Sequence, residues 1–108
     1  SEIRELLAHR NSAIRKQSLA EARLKPGQST TLHYHVVTEE IYYITGGRGR
    51  MRVGAEFRDV TVGDAIAIPP GALHQIKALG SETLTLLCCC SPAYEDSDTV
   101  LMEDTVLV

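Results

Sequence analysis

The chain has 108 residues, 44% apolar and 23% charged, the size and make-up of one folded domain with no room for a second. Eleven Lys and Arg against fourteen Asp and Glu give a net charge of −3, and the absence of a basic stripe argues against nucleic acid and anionic membrane as main partners. The most apolar stretch, residues 84–90, is too short to span a bilayer, and residues 1–10 carry no signal-type apolar core, so the expected location is the cytoplasm.

Residues 1–9 read as a short helix, with Ile3, Leu6 and Leu7 on one face and Ser1 as its cap. His9 falls at its end and reads as a surface residue. The helical period then disappears. Strands are expected over residues 18–24, 30–36, 40–45, 50–53, 57–61, 65–68, 74–78 and 83–90. Between them lie turns rich in Gly, Pro, Asp and Ser, such as Lys25-Pro26-Gly27-Gln28 and Pro69-Pro70-Gly71. Short strands at this spacing predict an all-β sandwich or barrel. The tail, residues 91–108, opens with a Pro-, Ser- and Asp-containing segment, a lid over the barrel mouth or a plain connection. It carries two apolar pieces, Val100-Leu101 and Val106-Leu107-Val108, expected to dock on the barrel or on a partner subunit.

The cysteines, Cys88, Cys89 and Cys90, are consecutive and odd in number, which is no disulfide framework. They read as small buried hydrophobes of a reduced protein. On a strand, Cys88 and Cys90 share one face and Cys89 takes the other.

Four residues carry the chemistry. His33 and His35 are two apart on one strand, so their rings project from one face. Glu39 and Glu40 open the next strand, and His74 opens a later one behind Pro69-Pro70-Gly71. Three imidazoles and a carboxylate suit a divalent transition metal that accepts nitrogen and oxygen together. Glu40 keeps a six-residue gap to Gly47, and Glu39 keeps the same gap to Gly46. Strand alternation lets only one of them face inward. Glu40 is the preferred ligand and Glu39 the alternative. Gly27, Gly47 and Gly63 sit at strand reversals that call for positive φ.

The full pattern is Gly27-x5-His33-x-His35-x4-Glu40-x6-Gly47, then Gly63-x5-Pro69-x-Gly71-x2-His74. It resembles the two conserved motifs of the cupin superfamily, in its small single-domain form. The resemblance implies one domain over residues 1–108, built as a double-stranded β-helix of the jelly-roll type. It implies a divalent metal (Fe, Mn, Ni, Zn or Cu) at His33, His35, Glu40 and His74, and a homodimer. One position departs: where the second motif usually carries Asn, this chain has Ala78.

With His33 and His35 inward, Thr31 joins them, and Leu32, Tyr34 and Val36 form an outward stripe too apolar for solvent. With Val106-Leu107-Val108, that stripe is the expected dimer contact. If Glu40 faces inward, so do Tyr42 and Ile44. The pocket is expected to be walled by Met51, Val53, Ile66, Ile68 and Ile76, with the Tyr42 phenol placed to give a proton or hydrogen bond to substrate. Arg50 and Arg52 read as solvated ion-pair partners beside Arg48.

Three functions fit. One is a metal-dependent enzyme on a small chelating substrate of hydroxy, keto, diketo or sugar-derived type, with oxygenase or isomerase, lyase or decarboxylase chemistry. The second is a non-catalytic module that binds a sugar or metabolite. The third is a structural protein with an inert metal.

Overall fold

The computed structural model of the chain describes residues 1–102. Ten strands form two five-stranded sheets. In chain order they are β1 (Glu2–Leu7), β2 (Ser18–Leu24), β3 (His33–His35), β4 (Glu39–Gly46) and β5 (Arg48–Val53). There follow β6 (Glu56–Thr61), β7 (Ala65–Ile68), β8 (His74–Leu79), β9 (Leu84–Ser91) and β10 (Thr99–Leu101). One sheet runs β1-β2-β9-β4-β7 and the other β10-β3-β8-β5-β6, and every named pairing is antiparallel. The expected all-β barrel is what forms.

The expected N-terminal helix is not there. Residues Glu2–Leu7 form an edge strand on β2. Six residues are too few to nucleate a helix on their own. Pairing with β2 gives the backbone its hydrogen bonds and sets Glu2 opposite Arg23 and Arg4 opposite Glu21.

Period-2 alternation sorts side chains between core and surface. On β4, Glu40, Tyr42 and Ile44 are buried while Glu39, Ile41 and Tyr43 are exposed. The core between the sheets centres on Leu24, Ile44, Ile76, Leu84 and Leu86. Gly27, Gly47 and Gly63 take the expected positive φ, at 82°, 71° and 93°. At Gly47 a second constraint applies, since a Cβ would stand 2.5 Å from the Thr83 carbonyl oxygen. Ala78, at the position of the missing Asn, is packed in the core on β8 opposite Gly49.

Several surface assignments change. Leu32 is buried, so the outward stripe is broken; half-buried Tyr34 and exposed Val36 remain of it. The regular strand begins only at His33, and the twist before it turns Leu32 into the protein. Val106, Leu107 and Val108 lie outside the described residues. Cys89 is exposed on the outer face of β9, while Cys90 is buried and Cys88 half-buried. All three are free thiols. Arg50 pairs with Asp59 at 2.9 Å as expected. Among the described residues Arg52 has no ion-pair partner: its Nε donates to the Gly54 carbonyl, and its guanidinium stands 5.5 Å over the Phe57 ring.

Candidate metal centre

The three histidines come together from two adjacent strands of one sheet. His33 on β3 lies directly opposite His74 on β8, and their ring centroids are 4.1 Å apart. His35 is one pleat further along β3, on the same face. The Pro69-Pro70-Gly71 turn is held to this strand by the Gly71 amide, which donates to the His35 carbonyl at 2.7 Å. That contact brings the chain back so that β8 begins at His74. One nitrogen from each ring falls in a group whose members all lie within 4.8 Å of one another.

Glu40 enters from the opposite sheet. Its Oε1 stands 3.3 Å from Nε2 of His35 and 3.3 Å from Nε2 of His74. Its other oxygen, Oε2, accepts a hydrogen bond from the Cys90 thiol at 3.3 Å. Glu39 is exposed on the outer face of β4. Alternation along β4 thus separates the two glutamates, with Glu40 at the histidines and Glu39 in solvent.

The outer nitrogens of all three rings are engaged. His33 Nδ1 is 2.7 Å from the Thr31 carbonyl oxygen, and His74 Nδ1 is 2.9 Å from that of Ala72. A carbonyl only accepts, so each Nδ1 carries the hydrogen. His35 Nδ1 is 3.1 Å from the Thr99 hydroxyl. That hydroxyl gives its own hydrogen to the Glu95 carbonyl at 3.1 Å, so here too Nδ1 donates. In the neutral rings every Nε2 is then a bare lone pair.

The centre consequently gathers acceptors without a donor. Glu40 Oε1 and His74 Nε2 are buried, and among the described residues no hydrogen bond reaches either. Each unsatisfied buried group of this kind costs about 1–3 kcal/mol. A divalent cation satisfies them together, and the Nδ1 bonds are the outer contacts that orient imidazole ligands. The residues present therefore fit a metal ion of mixed nitrogen and oxygen preference.

Electrostatics keep the set in the protonation state that a cation requires. Burial and the neighbouring His74 push His33 down to about 4, against the opposing pull of the Thr31 bond. Burial alone would raise the Glu40 carboxyl; a proton on Nε2 of His35 or His74, facing Oε1, outweighs that and pulls it down to about 2. Tyr42 moves the other way: burial, then the Glu40 charge, lifts its phenol well above its ordinary value. Burial and Glu40 likewise keep Cys90 a thiol.

A cavity of about 530 Å³ opens over His33, His35 and Glu40. Ile76 and Tyr42 line it as expected. Met51, Val53 and Ile66 do not; they line a separate groove between the free edges of β6 and β7. The cavity's remaining walls come mainly from β1, Arg10, β2, β9 and the tail, where sequence reading placed no site residue. Tyr94 stands edge-on to His35, with ring centroids 5.8 Å apart, and its backbone amide donates to the Ser18 hydroxyl. The segment after β9 thus lies along the cavity, and Thr99 at its end reaches His35. The tail's mixed composition gave no signal for either contact. His9 is exposed, as expected, with Nε2 3.2 Å from Glu95.

The sequence model of the family described as Cupin domain matches residues 20–90. The chain belongs to the cupin family. An uncharacterized protein of Methanocaldococcus jannaschii is 47% identical to this cupin over 101 residues, 94% of this chain and 81% of its own. Among solved structures, a predicted oxalate decarboxylase from Thermotoga maritima superposes with a TM-score of 0.76 at 28% identity, over 83% of this chain and 78% of that one. Oxalate decarboxylase from Bacillus subtilis superposes with a TM-score of 0.83 at 26% identity. That match covers 93% of this cupin and 27% of the larger protein. Among the described residues, no helix is long and apolar enough to cross a membrane.

Proposed function

We propose that this cupin is a metal-dependent enzyme acting on a small organic molecule that chelates a divalent transition metal through two oxygens. The observation that carries the reading is the convergence of three Nε2 lone pairs and Glu40 Oε1, two of them buried without any hydrogen bond. His33, His35, Glu40 and His74 are the proposed ligands, with Glu40 preferred over Glu39. A divalent ion held by these four residues would supply Lewis acidity toward a bound substrate oxygen.

The chain's own groups prepare the site. Thr31, Ala72 and Thr99 fix the rings so that Nε2 faces the centre. Cys90 holds Oε2 and thereby leaves Oε1 free. Tyr42 lines the cavity beside His74, with ring centroids 5.9 Å apart. Its phenol stays protonated, so it serves as a hydrogen-bond or proton donor to bound substrate. The similar oxalate decarboxylases support lyase or decarboxylase chemistry; the ligand set alone equally suits isomerase or oxygenase chemistry. A non-catalytic sugar- or metabolite-binding role is the competing reading. The three free thiols support work in a reducing compartment such as the cytoplasm. Self-association is part of the proposal, with Tyr34 and Val36 as contacts; a stable monomer in sedimentation at micromolar concentration removes it.

Elemental analysis of protein purified without affinity metals tests the centre. One transition metal per chain is expected, lost when His33 and His35 are both replaced by Ala. Full metal content in that double variant overturns it. Oxygen-uptake and product screens against keto acids, diketones and sugar acids separate the reactions, and binding without turnover would favour the non-catalytic role.

A further inference from the structure

The inner face of β2-β9-β4 is graded from polar to apolar. Three cross-strand rows lie on it. Ser18, Cys90 and Glu40 form the row at the histidines. Ala20, Cys88 and Tyr42 form the next, and Ala22, Leu86 and Ile44 the last. Rows two residues apart are about 7 Å apart. The small side chains of Ala20, Ala22 and Cys88 leave the cavity its room along the second and third rows.

Charge is distributed just as unevenly. Among the described residues, Arg10 is the one Lys or Arg that lines the cavity. Its guanidinium is already committed, with Nη2 and Nε 2.7 Å and 3.1 Å from the two Glu5 oxygens. Glu5 and Asp96 line the cavity as well, so no Lys or Arg among its described lining residues is left unpaired. Residues 103–108, Glu-Asp-Thr-Val-Leu-Val, contain no Lys or Arg.

We infer that the substrate is a monoanionic 2-oxo or 2-hydroxy acid with a short apolar body, and that the cavity selects against dicarboxylates. The inference rests on the metal reading above. A divalent ion with one carboxylate carries a net +1, which matches a single anionic head group. The body then lies along the Ala20 and Ala22 rows, where each added methylene leaves water. A second carboxylate in the same place meets Ala20, Ala22, Cys88 and Leu86, and Arg10, the cation nearest the Ala20 row, is held by Glu5, so the carboxylate loses its hydration without replacement.

The test uses full-length protein loaded with Zn²⁺, its metal content verified, titrated calorimetrically with three acids sharing one chelating head. These are pyruvate, 2-oxopentanoate and 2-oxoglutarate. The last two have the same carbon chain and differ by the terminal carboxylate. The expected result is that 2-oxopentanoate binds at least tenfold more tightly than 2-oxoglutarate. It should also gain about fourfold per methylene over pyruvate. In Ala20→Leu, which fills the second row, the gain over pyruvate should vanish while metal content persists. Equal or tighter binding of 2-oxoglutarate, or no binding of any of the three to the loaded protein, overturns the inference and leaves the metal reading standing. A protein that retains no Zn²⁺ overturns the metal reading itself, and the inference falls with it.

Discussion

The Thr99 hydroxyl and His35 Nδ1, 64 residues apart in the chain, meet at 3.1 Å. The contact exists because β10 pairs with β3 in a register that sets Thr99 opposite His35 and Leu101 opposite His33. A short strand from the tail thereby reaches the outer side of the candidate centre. Outer contacts of this kind hold imidazole ligands in place, and their loss costs metal affinity roughly 10–100-fold. Thr99→Val should weaken metal binding by that factor, and Thr99→Ser should restore most of it. Competition against a calibrated chelator measures both. Unchanged affinity in Thr99→Val would mean that the tail strand has no part in orienting His35.

The two adjacent glutamates should behave oppositely. Glu40 is buried against His35 and His74, and Glu39 is exposed. Glu40→Gln should lower metal affinity at least tenfold, whereas Glu39→Gln should leave it unchanged. If Glu39→Gln alone releases the ion, the ligand assignment is wrong at that residue.

The metal-free protein should lose stability as pH falls. In the unfolded chain His33 takes up its proton near 6.5, and in the folded protein near 4. Between those values the unfolded state binds more protons, so stability is full above about 6.5 and declines toward 4. Glu40, at about 2 folded against 4.5 unfolded, extends the loss below pH 4.5 in the same direction. Urea midpoints across this range measure the slope. His33→Asn should flatten its upper part, and a midpoint that rises on acidification would refute the sign.

Two glycines with positive φ should respond unequally to alanine. Gly54 has open space around its missing side chain, so Gly54→Ala bears only left-handed strain, about 1 kcal/mol. At Gly47 a Cβ would also press on the Thr83 carbonyl at 2.5 Å and on the Leu84 backbone. The combined strain and overpacking should cost roughly 3 kcal/mol. Denaturant unfolding compares the pair, and equal costs would show that the β5 turn can relax away from β9.

The sequence by itself determined the strand series and the main candidate residues. Residues Ser18–Leu24 and Ala65–Ile68 form strands with the expected bounds. Alternation on β4 is a local property, so the grouping of Glu40, Tyr42 and Ile44 on one face was legible from spacing alone, and packing decided that this face points inward. So was the return of His74, because Pro and Gly act on the backbone at their own positions. Tertiary structure decided what depends on a distant partner. Glu2–Leu7 is a strand because β2 offers it a ladder, which no short-range pattern announces. Leu32 is buried because the regular strand starts at His33 and not at residue 30, so the expected alternation does not reach it. Thr99 and Tyr94 reach His35 through the docking of the tail, and Cys90 reaches Glu40 because β9 lies beside β4. These contacts are set by register between strands some 50 or more residues apart. A sequence read in one dimension records each residue's own period, and only the closed barrel records which residues stand opposite one another.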